Sequence, residues 1–324
     1  MRSPSRKWKV SIMQTNDLQL NEKLELKKHG PVYRIFNSLL KCPYVLIAPA
    51  LLTCIGLTIF PMCFGFYLSF HKWDPLSGRK KFVKFQNFQY LLESEDFRKV
   101  MLNTIIFMLV TLFIGLFIKV LLGIFLNKRT FQHNLVQTVA FTPHIIATVS
   151  VSVIFMWLMD PKNGVFNYVL SALHLPTSNW LKSADSALGS LLMVSIWKTC
   201  GHGALLVIAG LRSIPEYIYE AAKLDKSTPL KTFTRITIPL LSPTLMYLII
   251  TTSASAFTSF DMVKMMTQGG PDNATNLIAY YVYQQGLMFN QYGRAMAAAV
   301  ILFIFTATLS SINFFGLDRK VHYQ

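Results

Sequence analysis

Residues 220–241 read EAAKLDKSTPLKTFTRITIPLL, and place Glu220, Lys223, Asp225, Lys226, Lys231 and Arg235 between two long apolar runs. A segment this polar cannot cross hydrocarbon, where each unpaired charge is costly, so it belongs outside the bilayer between two spans. Local rules give it two short helices. Ser213 and Glu216 have the spacing of a capping box, with Pro215 in the first turn, where a missing N–H is harmless. Ile214, Tyr217, Ile218 and Ala221 follow at helical spacing as one apolar stripe. Thr228 caps a second helix that starts at Pro229 and sets Leu230, Phe233 and Ile236 on one face, and Pro239 and Pro243 lead into the next span. Such a helix–turn–helix lies on a membrane surface or docks into a groove of a water-soluble partner, with the apolar stripe as the docking face.

The rest of the chain supports the membrane reading. Of its 324 residues 52% are hydrophobic and 14% charged, and the mean hydropathy is +0.41. A soluble domain of this length needs far more polar surface. About 20 apolar residues cross a bilayer as a helix. Six runs qualify, at about 43–70, 100–126, 135–159, 187–211, 242–263 and 292–316, the third interrupted near its start by Pro143 and His144. With the N-terminus in the cytoplasm, the segments inside hold 18 Lys and Arg and those outside hold 8. That bias follows the positive-inside rule with both termini cytoplasmic. The net charge of +16 is therefore topogenic, and no basic patch interleaved with aromatics points to nucleic acid.

The plan is an all-α membrane protein with a cytoplasmic tail at 1–41, a six-helix domain at 42–317 whose polar loop occupies about 212–240, and a short cytoplasmic tail at 318–324. The first 41 residues show no apolar core followed by a cleavage site, so no cleaved signal peptide is expected. Cys42, Cys54, Cys63 and Cys200 have no metal-ligand spacing and are expected as buried thiols. Residues 71–97 mix aromatics and charge and should lie along the outer surface. Asp160-Pro161 and Asn163-Gly164 signal turns before a short apolar helix, and Ala295, Ala298 and Ala299 suit close helix approach.

Charges inside spans need partners or a wet cavity. Lys119 lies close enough to the inner end of its run to snorkel. Lys198 cannot, and beside Trp197 and His202 it becomes a candidate for the solute pathway or for a structural contact within the protein. The small, hydroxyl-rich stretch 251–261 adds Ser253, Ser255, Phe257, Phe260 and Asp261 as pathway candidates, with close helix packing as the other use of its small residues and an Asp261–Arg294 ion pair as the simple alternative for the carboxylate. No cluster inside the spans suggests a metal or an acid/base pair, so neither catalytic nor metal-binding residues are assigned and an intramembrane enzyme is disfavoured.

The EAA at 220–222, a turn three residues on, and the later Ile236, Ile238, Pro239 and Leu240 resemble the EAA loop of bacterial ABC-importer permeases. The stretch MMTQGGPDNATNLIAYYVYQQGLMFNQYGRAMA (265–297) is similar to the segment between the last two spans of carbohydrate-importer permeases, and residues 197–216 look like that family's fourth span. The likeness covers about 42–324 and is nearest to permeases for oligosaccharides or sn-glycerol-3-phosphate. The resemblance implies that the polar loop is a coupling helix in which Glu220, Ala221, Ala222, Asp225, Lys226, Ile236 and Pro239 meet an ATP-binding subunit. The family's glycine falls on Lys226, where a left-handed turn would cost lysine about 1 kcal/mol. It also implies a bacterial cell-membrane location, a second permease subunit, two ATP-binding subunits that use ATP and Mg, and an extracellular solute-binding protein. The chain has no P-loop motif and binds no cofactor of its own on this reading. An ion-coupled secondary transporter is the alternative.

Overall fold

The computed structural model describes residues 43–318 apart from 74, 76, 77 and 258. The tail expected at 1–41 and residues 319–324 lie outside the described residues, as does Cys42. The chain divides into two units, residues 1–64 and 65–324.

In the first unit the described residues belong to helix α1 (Pro43–Ser69). Leu52, Leu57 and Phe60 are exposed along it, and a helix apolar around its whole girth is suited to lipid. Cys54 and Cys63 share that exposed surface, which corrects the expectation of buried thiols, and Cys200 in the second unit is half-buried. Hydrophobic residues point outward here because the solvent itself is apolar.

The second unit departs from a purely helical plan at its start. Strands β1 (His71–Trp73) and β2 (Lys80–Phe82) form an antiparallel hairpin with His71 opposite Phe82. A lone two-stranded hairpin is marginal in water. This one is held by helix α2 (Gln86–Glu93), whose buried Asn87 donates through Nδ2 to the carbonyls of Ser69 at 2.8 Å and His71 at 3.1 Å.

Helix α3 (Glu95–Leu126) begins at Ser94, whose hydroxyl accepts from the Phe97 amide. Helices α4 (Phe131–Ile145) and α5 (Thr148–Leu158) are bent by 100° at the break between them. Pro143 lies inside α4, and Ile146 and Ala147 turn extended with ψ of 136° each. After the short α6 (Val165–Ala172) comes the long α7 (Ala184–Ser213), then the two pieces of the polar loop, α8 (Glu216–Leu224) and α9 (Pro229–Leu240). α9 bends by 66° into α10 (Ser242–Phe257), followed by α11 (Phe260–Met266), α12 (Ile278–Tyr283) and α13 (Tyr292–Asp318).

Four of these helices, α1, α3, α7 and α13, are long and apolar enough to cross a membrane, and the two bent pairs bring the number to six if each counts as one span. The four lie along four of the apolar runs, and the bent pairs α4–α5 and α9–α10 overlap the runs at 135–159 and 242–263, the second pair beginning within the polar loop.

Helix α7 lies against both α3 and α4, and two glycines let it approach. A Cβ at Gly201 would overlap the backbone carbonyl of Ala140, so α4 and α7 meet backbone to backbone. A Cβ at Gly203 would run into the methylenes of Lys119. Phe107, Leu191, Val194 and Phe257 centre the main core, and Val207, Leu211, Leu241 and Leu248 form a second cluster. On α13 the fully buried alanines are Ala295, Ala297 and Ala298. Ala299, expected on that face, is only half-buried, so the packed face is centred a position away from the one the spacing suggests.

Candidate functional site

A cavity of about 180 Å³ opens among α3, α5, α7, α10 and α11. Two lysines, Lys119 and Lys198, and one carboxylate, Asp261, line it together with hydroxyls that include Thr199, Thr252 and Ser255.

Lys119 does not snorkel. It is 5% exposed, its stem fills the space that Gly203 leaves, and its Nζ donates to Thr252 Oγ1 at 2.8 Å. The bare glycine on α7 gives the lysine an inward route, so the ammonium reaches the cavity instead of the membrane surface. An ammonium carries three N–H donors, and this one has no other acceptor among the described residues.

Lys198 is satisfied differently. Its Nζ donates to the carbonyls of Ile146 at 2.6 Å, Pro143 at 3.2 Å and His144 at 3.4 Å. Those carbonyls lie at the broken end of α4, where the last turn's acceptors have no helical N–H donors and carry partial negative charge. A cation there both caps the half-helix and fixes its angle.

Asp261 is exposed to the cavity and makes no hydrogen bond or ion pair among the described residues. The alternative pairing with Arg294 is not formed. The Arg294 guanidinium instead lies 3.6 Å from the centroid of the Tyr90 ring, in a separate depression beside the hairpin.

Of the remaining pathway candidates, Ser255 lines the same cavity. Trp197 is 41% exposed and packs on Phe155 with centroids 4.9 Å apart. His202 stacks on His144 at 4.2 Å. Ser253 is buried and turns its hydroxyl back to the Ile249 carbonyl, Phe257 packs edge-on against Phe305, and Phe260 sits against Tyr280 and Tyr283 under the Lys264 ammonium. The cavity thus gathers Lys198, Ser255 and Asp261 and adds Lys119 and Thr252. The signal for Lys119 is present as a charge within an apolar run, but its direction depends on a glycine of another helix.

The polar loop forms the two expected helices with different ends. Ser213 makes no capping box, because α7 runs on through it and its hydroxyl bonds back to the Gly210 carbonyl at 2.8 Å. Pro215 occupies the N-cap of α8 instead. Thr228 does cap α9, accepting from the Lys231 amide. Between them Lys226 adopts φ +49°, a left-handed turn of the kind that favours glycine. The Lys226 amide reaches the Lys223 carbonyl and the Ser227 amide the Ala222 carbonyl, both at 3.0 Å, a complete Schellman ending.

The face of α8 also divides. Ile214 and Ala222 are buried and Ile218 half-buried, while Tyr217, Glu220, Ala221, Leu224, Asp225 and Lys226 are exposed. Ile236 and Pro239 on α9 are half-buried. Half of the stripe read from sequence therefore seats the loop on its own protein, and the outward apolar face is Tyr217, Ala221 and Leu224, with Leu230 exposed on α9. No group of three or more His, Cys, Asp or Glu side chains able to hold a metal occurs among the described residues.

Residues 115–323 match the family described as binding-protein-dependent transport system inner membrane component, a match that covers the polar loop and the cavity helices from the second half of α3 onward. The chain belongs to this family. It is thus a multi-pass inner membrane component, similar to the sn-glycerol-3-phosphate transport system permease protein UgpA of Yersinia pestis, with 29% identity over 87% of this chain and 96% of the relative. It is also 29% identical to the sulfoquinovosyl glycerol transport system permease protein SmoG of Agrobacterium fabrum, over 83% of this chain and 87% of the relative. Among solved structures, a chain of a bacterial ABC transporter involved in the import of the acidic polysaccharide alginate has the same fold, with a TM-score of 0.76 and 23% identity over 88% of this chain and 99% of that one.

Proposed function

We propose that this inner membrane component forms half of the translocation pathway of an ATP-driven importer for a sugar, oligosaccharide or glycerol-phosphate-like solute, and that α8 transmits the motion of the ATPase. One observation carries the coupling role. α8 is joined at one end to α7, which brings Lys198 and Thr199 to the cavity, and at the other through α9 to α10, which brings Thr252 and Ser255. A displacement of α8 therefore acts on two walls of the same cavity.

The outward face of α8 suits a water-soluble partner. Tyr217 is 68% and Leu224 85% exposed, and Glu220 and Asp225 stand beside them for charge-assisted contacts. On this reading two ATP-binding subunits dock on α8 and on its counterpart in a second permease subunit, and supply the ATP and Mg chemistry. An extracellular solute-binding protein delivers the solute at the opposite surface, with both termini of this chain cytoplasmic. The solute class rests on the relatives, which are permeases for sn-glycerol-3-phosphate and sulfoquinovosyl glycerol. Membership in a binding-protein-dependent family weighs against ion-coupled transport by this chain alone.

The test is Glu220→Lys in the complete transporter. ATP hydrolysis should persist while uptake and its stimulation by loaded binding protein are lost; normal uptake by this variant would overturn the coupling role.

A further inference from the structure

We infer that the hairpin and α2 bind an anionic phospholipid, with Lys72, Lys81 and Arg294 around its phosphate and Phe82, Phe85 and Leu92 in the acyl boundary below. This uses the chain's place in a membrane and is independent of the coupling role.

The faces of α2 set its orientation. Asn87 and Leu91 are buried against the protein. Phe85 and Leu92, 69% and 66% exposed, share a second flank with the half-buried Phe88 by helical spacing. Gln86, Gln89 and Glu93 are exposed on the third, polar flank. The neighbours of the helix fix its level. Asn87 bonds the Ser69 carbonyl at the end of α1, and α3 begins directly after α2. At the start of α13, a Cβ on Gly293 would overlap the His71 carbonyl, so the hairpin rests on that helix backbone to backbone. The hairpin and α2 therefore sit at the ends of three spans, where hydrocarbon gives way to headgroups. In that zone an amphipathic helix turns its apolar flank to the acyl chains and its polar flank to water. Phe82 on β2, 59% exposed, extends the apolar surface.

The charges of this region ask for an anion. Five of the eight Lys and Arg expected outside fall within 71–97, where the positive-inside rule gives them no use. In the hairpin Lys72 stands directly opposite Lys81, and both are exposed. Like charges so placed are destabilising unless an anion joins them. Lys72 also lines, with Arg294, Gln86 and Tyr90, a depression of about 230 Å³ that has no carboxylate in its lining. The Arg294 guanidinium is seated over the Tyr90 ring and makes no hydrogen bond or ion pair among the described residues. Two ammoniums and the edge of a guanidinium suit a phosphodiester. Nearby carboxylates are engaged elsewhere, Glu93 by the Gln89 amide at 2.9 Å and Asp96 by the Asn273 amide at 3.0 Å. A zwitterionic lipid brings the same phosphate, but its own cation would meet positive charge here. A free anion would gain nothing from Phe82, Phe85 and Leu92. The observations therefore favour a lipid of net negative charge.

The experiment is native mass spectrometry of the complete transporter in detergent, titrated with dioleoyl phosphatidylglycerol or dioleoyl phosphatidylcholine. The first phosphatidylglycerol should bind about tenfold or more tightly than the first phosphatidylcholine, given the strength of charge-assisted hydrogen bonds. The double variant Lys72→Gln, Arg294→Gln should erase that preference. Phe85→Ser with Leu92→Ser should instead weaken both lipids alike and keep it. Photoactivatable phosphatidylglycerol should label the wild-type chain within 71–93 or 291–294. Equal affinity for the two lipids overturns the inference, as does labelling confined to other segments or an unchanged preference in the charge variant. Displacement of the lipid by an equal concentration of inorganic phosphate also overturns it, because the site would then read the anion alone. A charge variant that binds lipid normally but needs more loaded solute-binding protein to stimulate ATP hydrolysis would assign the basic face to that protein. The lipid comparison and the labelling need no variant, so misfolding of the variants would not rescue the inference.

Discussion

The Nζ of Lys198 on α7 lies 2.6 Å from the carbonyl of Ile146, in the break between α4 and α5. One ammonium thus holds the point where a span bends by 100°, and it does so from the helix that continues toward the polar loop. Lys198→Met keeps the stem and removes the donors, which leaves the carbonyls of Pro143, His144 and Ile146 without that partner. The expected loss is about 1–3 kcal/mol of stability. Thermal unfolding of the purified complex should fall accordingly, with Lys198→Arg closer to wild type. Equal stability of the Met variant would mean that water caps the break as well.

Gly201 makes a sharper steric case. A methyl group there meets the Ala140 backbone, and backbone cannot move aside as a flexible side chain can. Gly201→Ala should push α4 away from α7 and cost about 1–3 kcal/mol, the usual range for overpacking. At Gly189 on the same helix an added methyl group would meet nothing within 4 Å, and Gly189→Ala should instead stabilise by about 0.5–1 kcal/mol through helix propensity. Opposite signs in one helix would separate packing from propensity; losses of similar size at both positions would reject the backbone contact.

The spans are legible in the sequence because hydrocarbon thickness alone sets the length of an apolar run. The place of the bend is half legible, since Pro143 marks a weak point but the Lys198 that fills it comes from another span. The course of Lys119 is hidden because its inward direction depends on Gly203, and no local pattern on α3 contains that glycine. Ser213 escapes for a related reason. A capping rule assumes that the preceding helix has ended, and α7 keeps the hydroxyl bonded to Gly210. The left-handed turn is legible by position, even with lysine in place of glycine.

The turn after α5 responds to pH in a defined direction. The backbone amides of Asn163 and Lys162 donate to the Asp160 carboxylate, at 2.9 Å and 3.0 Å, and Lys182 lies 3.3 Å away. The amides, with a smaller contribution from Lys182, hold its carboxyl below the usual carboxylate range. A depressed carboxylate stabilises the turn fully above its unfolded-state pKa and loses that contribution as pH falls through the folded one. The protection of the Lys162 and Asn163 amides, measured against the intrinsic exchange rate at each pH, should therefore hold near neutrality and fall only below the ordinary aspartate range. Asp160→Ala should abolish the pH step, and a step of unchanged size in that variant would assign it to another group.

Lys226 tests how the polar loop tolerates its unusual residue. At φ +49° a Cβ is strained by about 1–2 kcal/mol, whereas glycine adopts this conformation freely but loses about 0.5–1 kcal/mol more in chain entropy. Lys226→Gly should thus stabilise the end of α8 by up to about 1 kcal/mol, and Lys226→Val should weaken it because a β-branched residue fits the left-handed region worst. The readout is exchange of the Ser227 amide, which is bonded to the Ala222 carbonyl at 3.0 Å. It should slow in the Gly variant and quicken in the Val variant, while transport by the Gly variant stays intact. If Lys226→Gly instead detaches the ATPase with its turn still protected, the lysine ammonium makes a contact of its own with that subunit, and the strained backbone is the cost of placing it there.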